Sequence, residues 1–217
     1  MKRSLHIIEH PLFKIIGEAG DELGMNTYVI GGWVRDGLLN RSSNQIEFDI
    51  VSDKDGIVLA KHVAKKLKVK KISIYKTFGT AAIVYKGVIM EFNGARKESY
   101  SKDSRDPVVT SGSMLDDQKR RDFTINAMSI SLNNKDYGAF IDPFNGLEDL
   151  ENKIIKTPLE PDKTYSDDPL RMMRAIRFAS TLNFTIDKQS LDSIKSNKER
   201  LKIIKQERIT DELNKII

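Results

Sequence analysis

Apolar residues recur at helical spacing from Leu5 to Leu23, and Gly24 follows as a C-cap. Tyr28–Ile30 is a short β-rich run that leads into Gly31-Gly32 and a brief helical stretch, Trp33–Leu39. Glu47–Val51 alternates acidic and apolar positions, the period of a half-buried strand, and Ile57–Leu67 predicts a helix. Ile72–Tyr75, Ala81–Tyr85 and Val88–Phe92 are β-branched runs, the last two joined by Lys86-Gly87 as a two-residue hairpin loop. Asn93–Gly112 is polar and reads as a long loop, a kind that is usually functional. A helix is predicted from about Leu115 to Leu132, with a turn at Asp142-Pro143 and Gly146. Helical patterning then runs to the end. Strands are therefore expected to stop near Phe92, and the fold class is α+β: a strand-bearing head followed by a helical extension.

Composition narrows the function classes. The 217 residues carry 39% hydrophobic and 31% charged side chains, too apolar for a disordered chain and too polar for a membrane protein. There is no Cys, so disulfide frameworks and thiolate metal sites are excluded. His6, Glu9 and His10 interrupt the first apolar stretch, which is no secretory signal, and a cytoplasmic location is expected. Lys and Arg total 36 against 31 Asp and Glu, a net charge of +5. Eight lysines and no acid lie between Gly56 and Met90. That run suits either a solvated helix face or contact with a phosphate backbone.

Four constellations can carry chemistry. In the first, Tyr28–Asp36, a strand runs into Gly31-Gly32 and then a helix. Such a turn lets backbone N–H groups approach an anion, and Arg35 can add a fork of donors. A plain strand–helix turn would look the same. The second is Glu47-Phe48-Asp49, whose two carboxylates share one face of a strand. Adjacent anions are costly unless a cation shares them, and Mg²⁺ suits hard oxygen donors. Glu91, on a later strand, is the candidate third acid. The third is Arg120–Asn126, where Arg121, Asp122 and Asn126 can serve phosphate and sugar, or where arginine and aspartate simply pair within a helix. The fourth opens on Asp168-Pro169, a natural N-cap and first helical residue. Arg171, Arg174 and Arg177 follow at three-residue steps, and Arg171 can offer a donor fork to a base edge.

Taken in order, these motifs resemble the class II tRNA nucleotidyltransferase (CCA-adding enzyme) and bacterial poly(A) polymerase family. The set is Gly31-Gly32-x-Val34-Arg35-Asp36, the acid-x-acid strand, Arg120-Arg121-Asp122-x-Thr124-x-Asn126, Asp142-Pro143-Phe144-x-Gly146, Asp168-x-x-Arg171 and Glu207-Arg208-Ile209-x-x-Glu212-Leu213. The resemblance implies a nucleotidyltransferase palm of the DNA polymerase beta type with a small mixed sheet, over residues 1–145. A helical neck that recognises the base would fill 146–217, with the family's body and tail outside this chain. It implies template-independent transfer of CMP or AMP from CTP or ATP to the 3′ end of tRNA or another RNA, with two Mg²⁺ ions and no membrane partner. A poly(A) polymerase, a CC- or A-adding relative and a non-catalytic RNA-binding fragment are the alternatives. Glu47, Asp49 and Glu91 would be catalytic metal ligands. Gly31, Gly32 and Arg35 would contact the triphosphate, and Arg121, Asp122 and Asn126 the ribose and phosphate region. Asp168 and Arg171 would read the base, Arg174 and Arg177 would back the phosphates, and Glu207 and Arg208 would brace the neck. The family's first metal-site acid is usually Asp, and here it is Glu47, after a loop about two residues longer than usual.

Overall fold

The computed structural model describes residues 5–42, 45–76, 79–99 and 108–216, which fall into two compact units. The first comprises residues 1–97, 111–117 and 128–143, and the second 98–110, 118–127 and 144–217.

The first unit opens with a 3₁₀ turn, Leu5–Ile8, and helix α1, Pro11–Leu23. Sequence periodicity merges these two. Pro11 separates them, because it has no N–H to extend a helix backwards, and it takes the first-turn position where none is needed. The His10 ring caps this end by accepting from the Leu12 N–H at 3.3 Å. Gly24 closes the other end with φ +61°, as expected.

The strands are β1 (Thr27–Ile30), β2 (Ile46–Ser52), β3 (Ser73–Tyr75), β4 (Thr80–Tyr85) and β5 (Val88–Gly94). With β8 (Ser129–Ser131) and β9 (Phe140–Ile141) they form one sheet in the order β3-β4-β5-β2-β1-β8-β9. β2 and β5 run parallel and the other neighbours antiparallel, so the sheet is mixed. Lys86 and Gly87 both take positive φ, +48° and +82°, the hairpin the sequence predicts.

Helix α2 spans Gly32–Leu38 and α3 spans Gly56–Leu67. One sheet face is covered by α1 and α3. Phe13 of α1 stacks on Phe48 with centroids 4.3 Å apart, and Trp33 meets Phe48 edge-on at 4.6 Å. Leu59, Ala60, Val63 and Ala64 bury the inner side of α3. Its lysines face outward, on the helix-covered side of the sheet, and Lys66 is paired with Glu22 at 2.6 Å.

The region after Phe92 corrects the sequence reading. β6 (Arg96–Ser99) and β7 (Val108–Ser111) form a two-stranded sheet where a loop was expected, and residues 100–107 lie outside those described. The helix expected over 115–132 is only α4, Met114–Lys119. A 3₁₀ turn, Thr124–Asn126, and strand β8 follow. Residues 122–132 are buried on every side, and a fully buried strand leaves no alternation to distinguish it from a buried helix.

The second unit is mainly helical. It contains α5 (Gly146–Glu151), α6 (Pro161–Asp167), α7 (Leu170–Leu182), α8 (Lys188–Asn197) and α9 (Gln206–Asn214). Two two-residue strands, β10 (Ile154–Ile155) and β11 (Thr185–Ile186), pair in parallel within it. No described helix is long and apolar enough to cross a membrane.

Candidate active site

Register fixes which side chains share the sheet face opposite α1 and α3 in the first unit, a face on which Ile30 and Val51 are buried with Ala95 and Met114. Asp49 on β2 pairs directly with Glu91 on β5, and on its other side with Ile30 on β1. Direct partners point to the same face. Glu47, two residues before Asp49, shares that face too. The three acids expected from sequence therefore lie on one face, opposite the layer of α1 and α3. Glu47 is exposed, and Asp49 and Glu91 are half-buried.

Their donor chemistry fits a hard divalent cation. Among the described residues no three His, Cys, Asp or Glu side chains close into a ready-made cage. Mg²⁺ does not require one, since it binds through one or two carboxylates and takes its other ligands from water and substrate phosphates. Neighbouring strands lie about 4.8 Å apart, so adjacent carboxylates on this face can reach a common ion.

Strand β1 ends at Ile30, beside Asp49, and the chain turns at Gly31 with φ +81° and ψ −135°. Only glycine takes that conformation without strain. The Gly31 carbonyl accepts from the Arg35 N–H at 3.1 Å, and its N–H donates to the Met128 carbonyl at 3.3 Å. The Arg35 guanidinium donates twice to Asp36, at 2.9 and 2.8 Å, and lies beside Gly32. Gly32 and Arg35 are thus held together, and Asp36 fixes the orientation of the fork. Gly31→Ala is expected to cost about 1–3 kcal/mol. A urea melt checks this; an unchanged midpoint would show that the turn accommodates a Cβ.

The second unit carries the other expected residues. Asp168 has an extended backbone and its carboxylate accepts from the Leu170 N–H at 3.2 Å, the capping role foreseen for it. Arg171 is buried and donates to the Arg120 carbonyl at 2.7 Å. Asp122 is buried and accepts from Asn126 at 3.0 Å and from Arg174 Nε at 2.8 Å. Burial pushes the Asp122 pKa up, but the Arg174 charge and the Asn126 and Arg174 hydrogen bonds outweigh it and hold it at about 2. Arg120 pairs with Glu98 at 3.1 Å, so Asp122 takes its cation from α7 and not from a neighbouring arginine of its own motif. Thr124 donates to Asp149 at 2.6 Å. Arg121 is half-buried.

Sequence reasoning faces Arg174 and Arg177 toward phosphates. In the structure their guanidinium groups are engaged by acids of the same unit: Arg174 by Asp122, and Arg177 by Glu212 at 2.6 Å. Glu207 and Arg208, expected to brace this region, are exposed, and the bracing residue is Glu212, only 4% exposed. The sequence held a signal for it. Three arginines on one helix face need acids, and a buried glutamate is almost always paired.

Residues 27–156 match the family model described as "Poly A polymerase head domain". Residues 183–217 match "Probable RNA and SrmB- binding site of polymerase A". The chain is 37% identical over 198 residues to the CCA-adding enzyme of Lactobacillus helveticus (strain DPC 4571), covering 90% of this chain and 47% of that protein. It is 40% identical over 166 residues to the A-adding tRNA nucleotidyltransferase of Aquifex aeolicus, covering 76% and 20% respectively. A solved tRNA nucleotidyltransferase, complexed with a primer tRNA and an incoming ATP analog, matches with a TM-score of 0.78 at 34% identity. That match covers 92% of this chain and 55% of the other. The chain spans about half the length of the first of these relatives and a fifth of the second.

Proposed function

The chain belongs to the poly(A) polymerase head-domain family, and from that premise we propose that it transfers CMP or AMP from CTP or ATP to the 3′ end of tRNA. The observation that carries this reading is the Asp49–Glu91 register pair on the sheet face opposite α1 and α3, beside the Gly31-Gly32 turn. The terminal 3′ oxygen attacks the α-phosphorus, a new P–O bond forms, and the bond to pyrophosphate breaks. Glu47, Asp49 and Glu91 would hold Mg²⁺, whose charge assists deprotonation of the 3′-hydroxyl and stabilises the leaving pyrophosphate.

The protein's own groups do the positioning. Gly31, Gly32 and Arg35 would hold the triphosphate, the last with a fork already aligned by Asp36. Arg121, Asp122 and Asn126 would meet ribose and phosphate, and Asp168 and Arg171 would read the base edge. The capping bond leaves Asp168 spare capacity, since a carboxylate has about four acceptor sites. Arg174 and Arg177 are held by carboxylates, so we assign them to fixing α7 rather than to direct phosphate contact. We place the boundary between the catalytic head and the base-recognising neck near residue 145. A cytoplasmic location goes with this proposal, as the compartment in which tRNA and nucleoside triphosphates meet. Addition of A alone is the second reading, supported by the 40% identity to the A-adding enzyme.

Incubation with tRNA lacking its 3′ end, Mg²⁺ and CTP or ATP separately, followed by sequencing of the products, tests the proposal. Incorporated C and A support it, A alone supports the second reading, and no incorporation by wild type or by Glu47→Asp rejects catalysis. Arg171→Ala is expected to alter the choice between CTP and ATP more than triphosphate affinity. An equal loss with both nucleotides would remove Arg171 from base reading.

A further inference from the structure

Two strands away from Asp49, the same sheet face becomes apolar and open. Ala82 on β4 is the register partner of Glu91, and Val84 is the partner of Ile89, which itself pairs with Glu47. Tyr75 on the edge strand β3 is the partner of Thr80, so it also points to this face. Val84 is 62% exposed and Tyr75 53% exposed, while Ile89 and Ala82 are partly open. Helix α3 packs on the opposite face of β4, behind Val84, and edge strand β3 is exposed along its length.

The position of this ledge relates to the chemistry. The Gly31 turn lies on the β1 side of Asp49, and the ledge lies on its β5–β4–β3 side. An in-line displacement puts attacking and leaving oxygens on opposite sides of phosphorus. A triphosphate at the glycine turn therefore leaves the ledge side of the carboxylates for the attacking strand. Charge agrees. β3, β4 and the turn after β4 lie within the acid-free stretch from Gly56 to Met90, and the exposed Lys71, Lys76 and Lys86 flank them. An aromatic ring and branched apolar side chains among lysines suit unpaired bases on a phosphate backbone, without base-specific hydrogen bonding.

We propose that Tyr75, Val84 and Ile89 form the acceptor platform, on which the unpaired 3′-terminal nucleotide of the RNA rests while its hydroxyl is presented to the carboxylates. This rests on the reading above and adds residues to it. The platform accepts any terminal base by stacking and apolar contact, as an enzyme must if it extends an end whose last base changes with each addition.

Tyr75→Ala and Val84→Asp, both at exposed positions, test it in the full chain. Each is expected to raise the KM for the RNA acceptor about tenfold while leaving the KM for CTP and ATP unchanged. An RNA with 4-thiouridine at its 3′ terminus is expected to crosslink to β3 or β4 on irradiation, a readout that needs no catalysis. Active wild-type protein whose variants keep the wild-type RNA KM would overturn the platform alone. Crosslinking confined to other elements would do the same. Inactive wild-type protein with the crosslink present would reject the catalytic reading and keep the platform. If the variants change only the elution volume in size-exclusion chromatography, the ledge is a protein contact and the inference is wrong.

Discussion

Asp49→Asn is expected to reduce nucleotide incorporation by at least about a hundredfold, with little change in stability. The substitution keeps shape and a carbonyl oxygen but removes the charge a hard cation needs. Loss of a group that merely supports a metal ligand costs 10–100-fold, so loss of a charged ligand belongs at or above that range. Asp49 is the pivotal acid because, of the three, it alone lies between a second acid and the end of the strand that leads into the glycine turn. It faces Glu91 across β5 and Ile30, the residue before the glycine turn, across β1. It is half-buried at the middle of the sheet, so its position is fixed by two ladders. Glu47 is exposed and pairs with Ile89, which offers no oxygen. Glu47→Gln is therefore expected to be the milder change. The measurements are single-turnover incorporation at several Mg²⁺ concentrations and a thermal melt. A similar loss at Glu47 and Asp49, or a destabilised Asp49→Asn, would contradict this ranking.

The three acids show where sequence information ends. The i, i+2 spacing of Glu47 and Asp49 was enough to place them on one strand face. Their meeting with Glu91 depends on β2 and β5 lying side by side in parallel, a pairing made across 42 residues by contacts that no local pattern encodes. The hairpin at Lys86-Gly87 was readable because its turn chemistry is local. Strand β8 was not: Ser129, Ile130 and Ser131 are all buried, so the polar residues that should mark a solvent face lie inside. The arginine stripe on α7 was legible as a pattern but not as a role. Its partners come from elsewhere in the chain, Asp122 before it and Glu212 after it, and side-chain pairing at that separation has no periodicity to reveal it.

That stripe supports the second large effect. Asp122→Asn is expected to lower stability by about 2 kcal/mol at neutral pH, with a Tm about 4–8 °C lower. The carboxylate's pKa is held at about 2 against an ordinary 3.8, and each unit of displacement is worth about 1.4 kcal/mol. The sign follows from proton binding. Because the folded pKa is depressed, the unfolded chain binds more protons between the two values. The contribution is complete above about 3.8 and disappears as pH falls through about 2. Wild type and Asp122→Asn should therefore converge in stability in strong acid, separate as pH rises from about 2 to about 4, and keep a constant gap above that. Arg174 supplies the check. With a third of its side chain exposed, it keeps some hydration when Asp122 loses its charge, which limits the penalty. It also lies 3.7 Å from Glu212, so part of its charge stays compensated. Arg174→Met combined with Asp122→Asn should cost less than the sum of the single changes, because the double variant leaves no unpaired charge at this contact. Strict additivity would mean that the Asp122–Arg174 contact contributes nothing. Holding α7, and with it Arg171, against the 120–122 segment would then fall to other contacts, among them the Arg171–Arg120 hydrogen bond.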